Sequence, residues 1–385
     1  MNRSLTLRTK QHVSTISGWK TDLASIDYCH NVNQEGEEIT IPPHTIFMFV
    51  PGNPGCIGWY LDMLRTIIQK LGVGYAARAA SYAGHAIGKE KIEIINNHDD
   101  CVDHGNNRNG LSTNKRKLDI VYTVDGQVEH KIEWFDLVLE EMKLLLVKNH
   151  AKGDKANDGK NNERPPMKFI FITHSIGSHL VQRMLLLRRD ILLQTKLIIH
   201  LTPFYRFDPD SIWKKNILST VANEPQMAIR LLKSIGYVVS KLPHSLVDQY
   251  MKKVAAMPIE KDRKLAKDLY TQPQYAHNFF ELGTEEIREV PEIHDEGALR
   301  IIGKFCPTAI LYCPSDHWAP LSHMNDMHDS KMAKKIPENI SLSFCDQLVH
   351  GFVVFPHMIP HVIQFVIESM KLMKEYRSEN LRSKL

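Results

Sequence analysis

Ser175 sits in the run Thr173-His174-Ser175-Ile176-Gly177, directly after the apolar stretch Met167–Ile172. A serine on a sharp strand-to-helix turn is how an α/β-hydrolase presents its nucleophile, and the turn needs small residues two before and two after it. Gly177 meets that need, whereas the β-branched Thr173 is expected to crowd the turn. Read alone, the serine equally suits a helix N-cap. As a nucleophile it needs an imidazole to take its proton and a carboxylate to orient that imidazole, in the chain order serine, acid, histidine. Asp316, in Pro314-Ser315-Asp316-His317-Trp318, and His350, in Leu348-Val349-His350-Gly351-Phe352, each follow an apolar strand-like run. Order and placement single them out from 44 acidic residues and 20 histidines. Asp208 and Asp210 remain rivals for the acid, and His357 and His361, where the last helix should begin, for the base. An oxyanion needs preorganised N–H donors. One is expected from Ile176, directly after the serine; the other from the turn Pro51-Gly52-Asn53-Pro54-Gly55. Pro54 has no N–H, which leaves Asn53 or Gly55, and Asn53, next to the first glycine, is the choice.

These residues need a parallel sheet to bring them together. Thr45–Val50 is continuously apolar and ends in the proline-glycine turn, as a strand buried on both faces would. Helical spacing follows over Ile57–Leu71, then a short strand over Tyr75–Ser81. An amphipathic helix is expected over residues 131–148, a helix over Ser178–Arg189 and a strand over Lys196–Leu201. Between residues 204 and 300 helical patterns replace strands, and strands resume at Pro307–Cys313 and Ile340–Cys345 before a final helix over residues 357–375. The alternation predicts an α/β fold of the α/β-hydrolase kind, a mostly parallel central sheet flanked by helices with an inserted helical lid. Residues 1–44 form an N-terminal extension with the first strands, 45–203 and 301–385 the two parts of the core, and 204–300 the lid. Polar stretches near 96–117 and 151–164 read as exposed insertions.

Net charge is +4 over 385 residues, which argues against a nucleic-acid partner. Six scattered cysteines read as reduced, buried thiols. The N-terminus lacks the apolar core of a secretory signal, and no stretch has the 18 or so apolar residues of a spanning helix. His98-Asp99-Asp100-Cys101-Val102-Asp103-His104 has metal-ligand residue types without a ligand spacing, so no metal or other cofactor is expected. Ala228–Val239 joins an apolar face to Arg230, Lys233 and Lys241, a pattern that suits a lid packed over a site or a helix lying in a lipid monolayer. Phe352–Val366 reads as a core helix and its lead-in.

Val50-Pro51-Gly52-Asn53-Pro54-Gly55 together with His174-Ser175-Ile176-Gly177, Asp316-His317-Trp318 and His350-Gly351-Phe352 resembles the lipid-droplet-associated hydrolases. Gly126–Lys131, ahead of the long helix, is similar to that family too, and the likeness spans residues 45–370 apart from the polar insertions and much of the lid. The resemblance implies a serine esterase acting on sterol esters or other neutral lipids at the lipid-droplet and endoplasmic-reticulum surface. It also carries the nucleophile to Ser175, the acid to Asp316 and the base to His350. A droplet-surface organiser with little turnover and a soluble esterase or thioesterase are the other readings, since a triad does not encode its substrate. Oligomeric state is left open.

Overall fold

The computed structural model describes residues 5–31, 38–86, 123–153, 167–206, 225–253, 257–270, 273–290, 296–314 and 316–382. The polar insertions from residue 96 to 117 and from 154 to 164, the His98–His104 stretch, Asp208 and Asp210 lie outside the described residues.

Strands β1 (Leu5–Ile16) and β2 (Trp19–Asn31) form an antiparallel hairpin, with β3 (Glu38–Thr40) on β2. Then follow β4 (Thr45–Val50), α1 (Leu61–Leu71), β5 (Tyr75–Ala80), α2 (Val124–Gly153), β6 (Lys168–His174), α3 (Gly177–Leu187), α4 (Arg189–Gln194) and β7 (Thr195–Leu201). Helices α5 (Pro225–Lys241), α6 (His244–Lys253), α7 (Glu260–Tyr270), α8 (Pro273–Glu289) and α9 (Glu296–Gly303) lie between β7 and β8 (Thr308–Tyr312). The chain ends through α10 (Leu321–Met332), β9 (Ile340–Phe344) and α11 (Ile359–Arg382). The sheet order is β1-β2-β5-β4-β6-β7-β8-β9, parallel from β5 onward.

Every residue of β4 is buried, as a central strand covered on both faces requires. Its alternate side chains divide between two cores. Phe47 and Phe49 pack with Leu64 and Ile67 of α1 and Val362 and Val366 of α11, while Ile46 and Met48 pack with Phe135 of α2 and Leu180 and Val181 of α3. Register then places the chemistry. Val50 pairs with Thr173, and His174 with Leu201, so the turn after β4 and the serine after β6 leave the sheet side by side. Leu201 pairs with Leu311 and Tyr312 with Phe344, which brings the loops after β8 and β9 to the same edge.

Two local expectations change. The long helix starts at Val124, so Gly126–Lys131 is its first turns rather than a lead-in. The Thr123 hydroxyl accepts the Gly126 N–H at 3.0 Å and its carbonyl accepts the Gln127 N–H, a cap that starts the helix ahead of the amphipathic segment. The helix expected over Ser178–Arg189 ends at Leu187, and after Arg188 a second short helix, α4, not expected from the sequence, follows. Cys29, Cys56, Cys306 and Cys313 are buried free thiols, and Cys345 is half-buried and free.

Candidate active site

Ser175 occupies the two-residue corner between β6 and α3 with φ +52°, a left-handed conformation that costs a non-glycine residue energy and is held by its surroundings. Its N–H donates to the Leu201 carbonyl at 3.2 Å, and its own carbonyl accepts the Ser178 and Phe204 N–H groups at 3.0 and 3.1 Å. Gly177 is required by space: a Cβ there would stand 2.6 Å from the Pro51 carbonyl oxygen and 2.7 Å from that of Val50. Gly52 is required for the same reason from the other side, since its Cβ would fall 2.8 Å from Ser175 Cβ. Thr173, expected to crowd the turn, is buried with its hydroxyl paired. Its side chain turns toward β7 and α3, where Oγ1 lies 2.6 Å from His200 Nδ1 and 2.8 Å from the Ser178 hydroxyl.

His350 and Asp316 meet the serine. His350 Nε2 is 2.9 Å from Ser175 Oγ, and His350 Nδ1 is 2.8 Å from Asp316 Oδ2. A carboxylate only accepts, so Nδ1 carries the hydrogen and Nε2 presents its lone pair to the serine hydroxyl. Asp316 Oδ1 accepts the Trp318 and Ala319 N–H groups at 2.8 and 2.9 Å, and Oδ2 also accepts the Cys313 thiol at 3.5 Å. Burial by itself would raise the Asp316 carboxyl; the facing His350 and these bonds outweigh it and hold it below the ordinary range. His357 and His361 lie around the start of α11 and are exposed, away from this arrangement.

The turn after β4 is built against the serine. Among the described residues neither the Asn53 nor the Ile176 main-chain N–H is used in another hydrogen bond, which leaves both available to an oxyanion. The Gly55 N–H, the other candidate in this turn, is spent on the Gly52 carbonyl at 2.6 Å. Helix α8 is bonded to the turn and to the segment after β5. Asn53 Nδ2 donates to the Phe279 carbonyl at 3.2 Å, the Tyr275 hydroxyl donates to the Pro54 carbonyl at 2.7 Å, and Asn278 Nδ2 donates to the Gly84 carbonyl at 2.7 Å. The Tyr82 hydroxyl and His85 Nδ1–H add donors to the Pro51 and Pro54 carbonyls. Burial pushes the Glu286 carboxyl, on the same helix and in contact with Asn53, up to about 8. Tyr275, Asn278 and Glu286 were missed from the sequence. Tyr275 and Glu286 sit more than 200 residues from the turn they touch and Asn278 sits 194 from Gly84, and nothing in their local pattern marks them.

A parallel sheet with helices on both faces and a serine at the strand-to-helix corner define an α/β-hydrolase. Solved structures share the fold. The haloalkane dehalogenase DatA from Agrobacterium tumefaciens C58 superposes with a TM-score of 0.54 at 10% identity, covering 95% of this chain and 97% of that one. The thioesterase domain from the curacin biosynthetic pathway gives 0.51 at 11% identity, with 94% and 99% covered. Residues 43–353 match the lipid-droplet associated hydrolase family, and the chain belongs to that family. The lipid droplet-associated hydrolase of Homo sapiens is 21% identical over 338 residues, spanning 86% of this chain and 85% of that protein. The protein of the same description from Mus musculus is 22% identical over 325 residues, 83% of each chain.

Proposed function

We propose that the chain is a serine esterase that cleaves carboxylic esters of neutral lipids, sterol ester or acylglycerol, at a lipid-droplet or endoplasmic-reticulum surface. The observation that carries the chemistry is the bonded series Ser175 Oγ, His350, Asp316, with spacings of 2.9 and 2.8 Å. In this reading His350 Nε2 takes the hydroxyl proton as Ser175 Oγ attacks the ester carbonyl, and the oxyanion accepts the Asn53 and Ile176 N–H groups. Collapse expels the alcohol, which takes the proton from His350 and leaves an acyl-serine. Water, deprotonated by the same nitrogen, then releases the fatty acid. Asp316 keeps its negative charge throughout and stabilises the imidazolium. No step uses a metal or organic cofactor.

The lipid surface is supported by α5 and α6. Met227, Leu231, Ile235, Val238 and Leu246 are between 48% and 61% exposed, at near-helical spacing, with Arg230, Lys241, Lys252 and Lys253 exposed beside them. Each such side chain taken into hydrocarbon contributes about 1 kcal/mol, and the cations suit anionic headgroups. No helix among the described residues is long and apolar enough to cross a membrane, so contact of this kind lies along the surface. The test is a panel of emulsified cholesteryl oleate, trioleoylglycerol and short soluble esters, run with wild type and Ser175→Ala. Wild type should release fatty acid from the lipid esters and the variant should not. Turnover confined to soluble esters, or equal turnover by both proteins, contradicts the proposal.

A further inference from the structure

His174, the residue before the nucleophile, is fully engaged although the proposed chemistry gives it no task. Its Nε2 lies 2.9 Å from the His350 carbonyl oxygen, and its Nδ1 lies 2.7 Å from the Tyr60 hydroxyl. A carbonyl can only accept, so Nε2 carries the hydrogen; Nδ1 is then a bare lone pair, and the Tyr60 O–H must donate to it. Gly52, in the turn after β4, lies against the same ring, since a Cβ there would stand 2.9 Å from His174 Nδ1. Polarity therefore runs one way, from the Tyr60 O–H through His174 to the main chain of His350. The series is dry, with Tyr60 3% and His174 5% exposed. Burial pushes His174 down to about 3, which keeps the ring neutral as this polarity requires. Its ring also packs 5.1 Å from the rings of both His350 and Phe352.

We propose that His174 and Tyr60 are positioning residues for the base, a hydrogen-bonded strut that locks the His350 loop and the oxyanion turn into one unit around Ser175. The need follows from the loop's construction. His350 lies between β9 and the short turn Phe352–Val354, its side chain is 22% exposed, and its ring is tied to the protein at Nδ1 by Asp316. The Nε2 bond to the Ser175 hydroxyl at 2.9 Å is consumed when that oxygen attacks, which leaves the ring held at Nδ1, and a shift of about 1 Å in a reacting group costs about 100-fold in rate. Fixing the residue's own carbonyl removes that freedom. The lead-in to helix α1 supplies Tyr60, β6 supplies His174, and the turn after β4 packs Gly52 against the His174 ring, so the strut touches three of the segments that must agree.

The proposal rests on the serine-triad reading and is tested on the same preparations. An alkyl fluorophosphonate probe phosphonylates the serine oxygen with loss of fluoride, a step that needs His350 and no particular lipid, and its kinact and KI separate reaction from binding. His174→Leu keeps an apolar filler and removes both bonds; its kinact should fall about 10- to 100-fold with KI within about 2-fold of wild type. His174→Gln restores an N–H toward the His350 carbonyl and should recover most of that loss. Tyr60→Phe removes one oxygen and leaves the ring packing, so it should fold as wild type while kinact falls about 10-fold. Wild-type kinact in Tyr60→Phe, or equal loss in His174→Leu and His174→Gln, overturns the strut. Labelling that persists in Ser175→Ala overturns the triad reading and the strut with it, whereas loss of labelling in Ser175→Ala beside unaffected Tyr60→Phe overturns the strut alone.

Discussion

Replacing Asp316 by Asn changes one atom and should reverse the base. In the wild-type structure Oδ1 accepts two main-chain N–H groups, from Trp318 at 2.8 Å and Ala319 at 2.9 Å, and Oδ2 accepts the His350 Nδ1–H at 2.8 Å. An asparagine has one oxygen for these two places. With the oxygen turned to His350, its NH2 would face both buried main-chain donors and strand them at a cost of about 1–3 kcal/mol each. With the oxygen on the main chain, the NH2 faces His350 Nδ1, which satisfies both amides and the imidazole if the imidazole moves its hydrogen to Nε2, and only the weak Cys313 thiol donor loses its acceptor. A neutral imidazole exchanges tautomers for far less than two stranded amides, so the second arrangement wins. Nε2 then carries a hydrogen toward Ser175 and cannot take its proton. The expected result is a fall in kcat of about 10,000-fold, or about 5.5 kcal/mol of barrier, with KM little altered, as in a serine protease given the same change. The assay is steady-state hydrolysis of a p-nitrophenyl ester over pH 6 to 9, with the melting temperature as a control for folding. A kcat within 10-fold of wild type in a folded variant would show that Asp316 does not set the tautomer and that another group orients the base.

Thr173→Gly removes the hydroxyl shared by Ser178 and His200; it should lower stability by about 1–3 kcal/mol without raising kcat, and a faster enzyme would show that the threonine does crowd the elbow. Glu286 is raised by burial from 4.5 to about 8, so between those values the folded chain holds a proton that the unfolded chain has released, and stability falls as pH rises through this window. Glu286→Gln keeps the protonated shape without the titration, and by pH 8 its gain in unfolding free energy over wild type should reach on the order of 4 kcal/mol. Parallel pH–stability curves for the two proteins would contradict the burial argument. Aspartates at Leu231 and Leu246, two of the exposed apolar positions on α5 and α6, should weaken flotation with phospholipid-coated triolein emulsions at least about 10-fold; unchanged flotation would exclude that face as the lipid contact.

The parts of the site written in contiguous residues were legible in the sequence. The serine corner, the glycine-rich turn and the acid and histidine after successive strands each leave a local signature, because each must end a buried strand in a tight turn. Parallel register does the rest, bringing Ser175, Asp316 and His350 within hydrogen-bonding distance. The polar partners of Thr173 were not legible, because the small-residue rule concerns space alone. Whether a β-branched residue fits depends on which way its side chain turns and on a polar partner, His200, on the neighbouring strand. The first turns of α2 were missed because Gly126–Lys131 mixes a glycine with Gln127, His130 and Lys131, whose types suggest a polar surface. All three of those polar side chains are buried instead, with Lys131 Nζ donating to the Ala80 and Ser81 carbonyls beside β5. The strut through Tyr60 and His174 and the grip of α8 on the turn are contacts between distant segments, which periodicity cannot show.

The central claim is that Ser175 carries the acyl group. Brief incubation with a p-nitrophenyl ester, acid quench and peptide mass spectrometry should find the peptide containing Ser175 heavier by one acyl group, with the added mass absent from Ser175→Ala. An acyl group on any other residue, or lipid-ester turnover that survives in Ser175→Ala, would contradict the account.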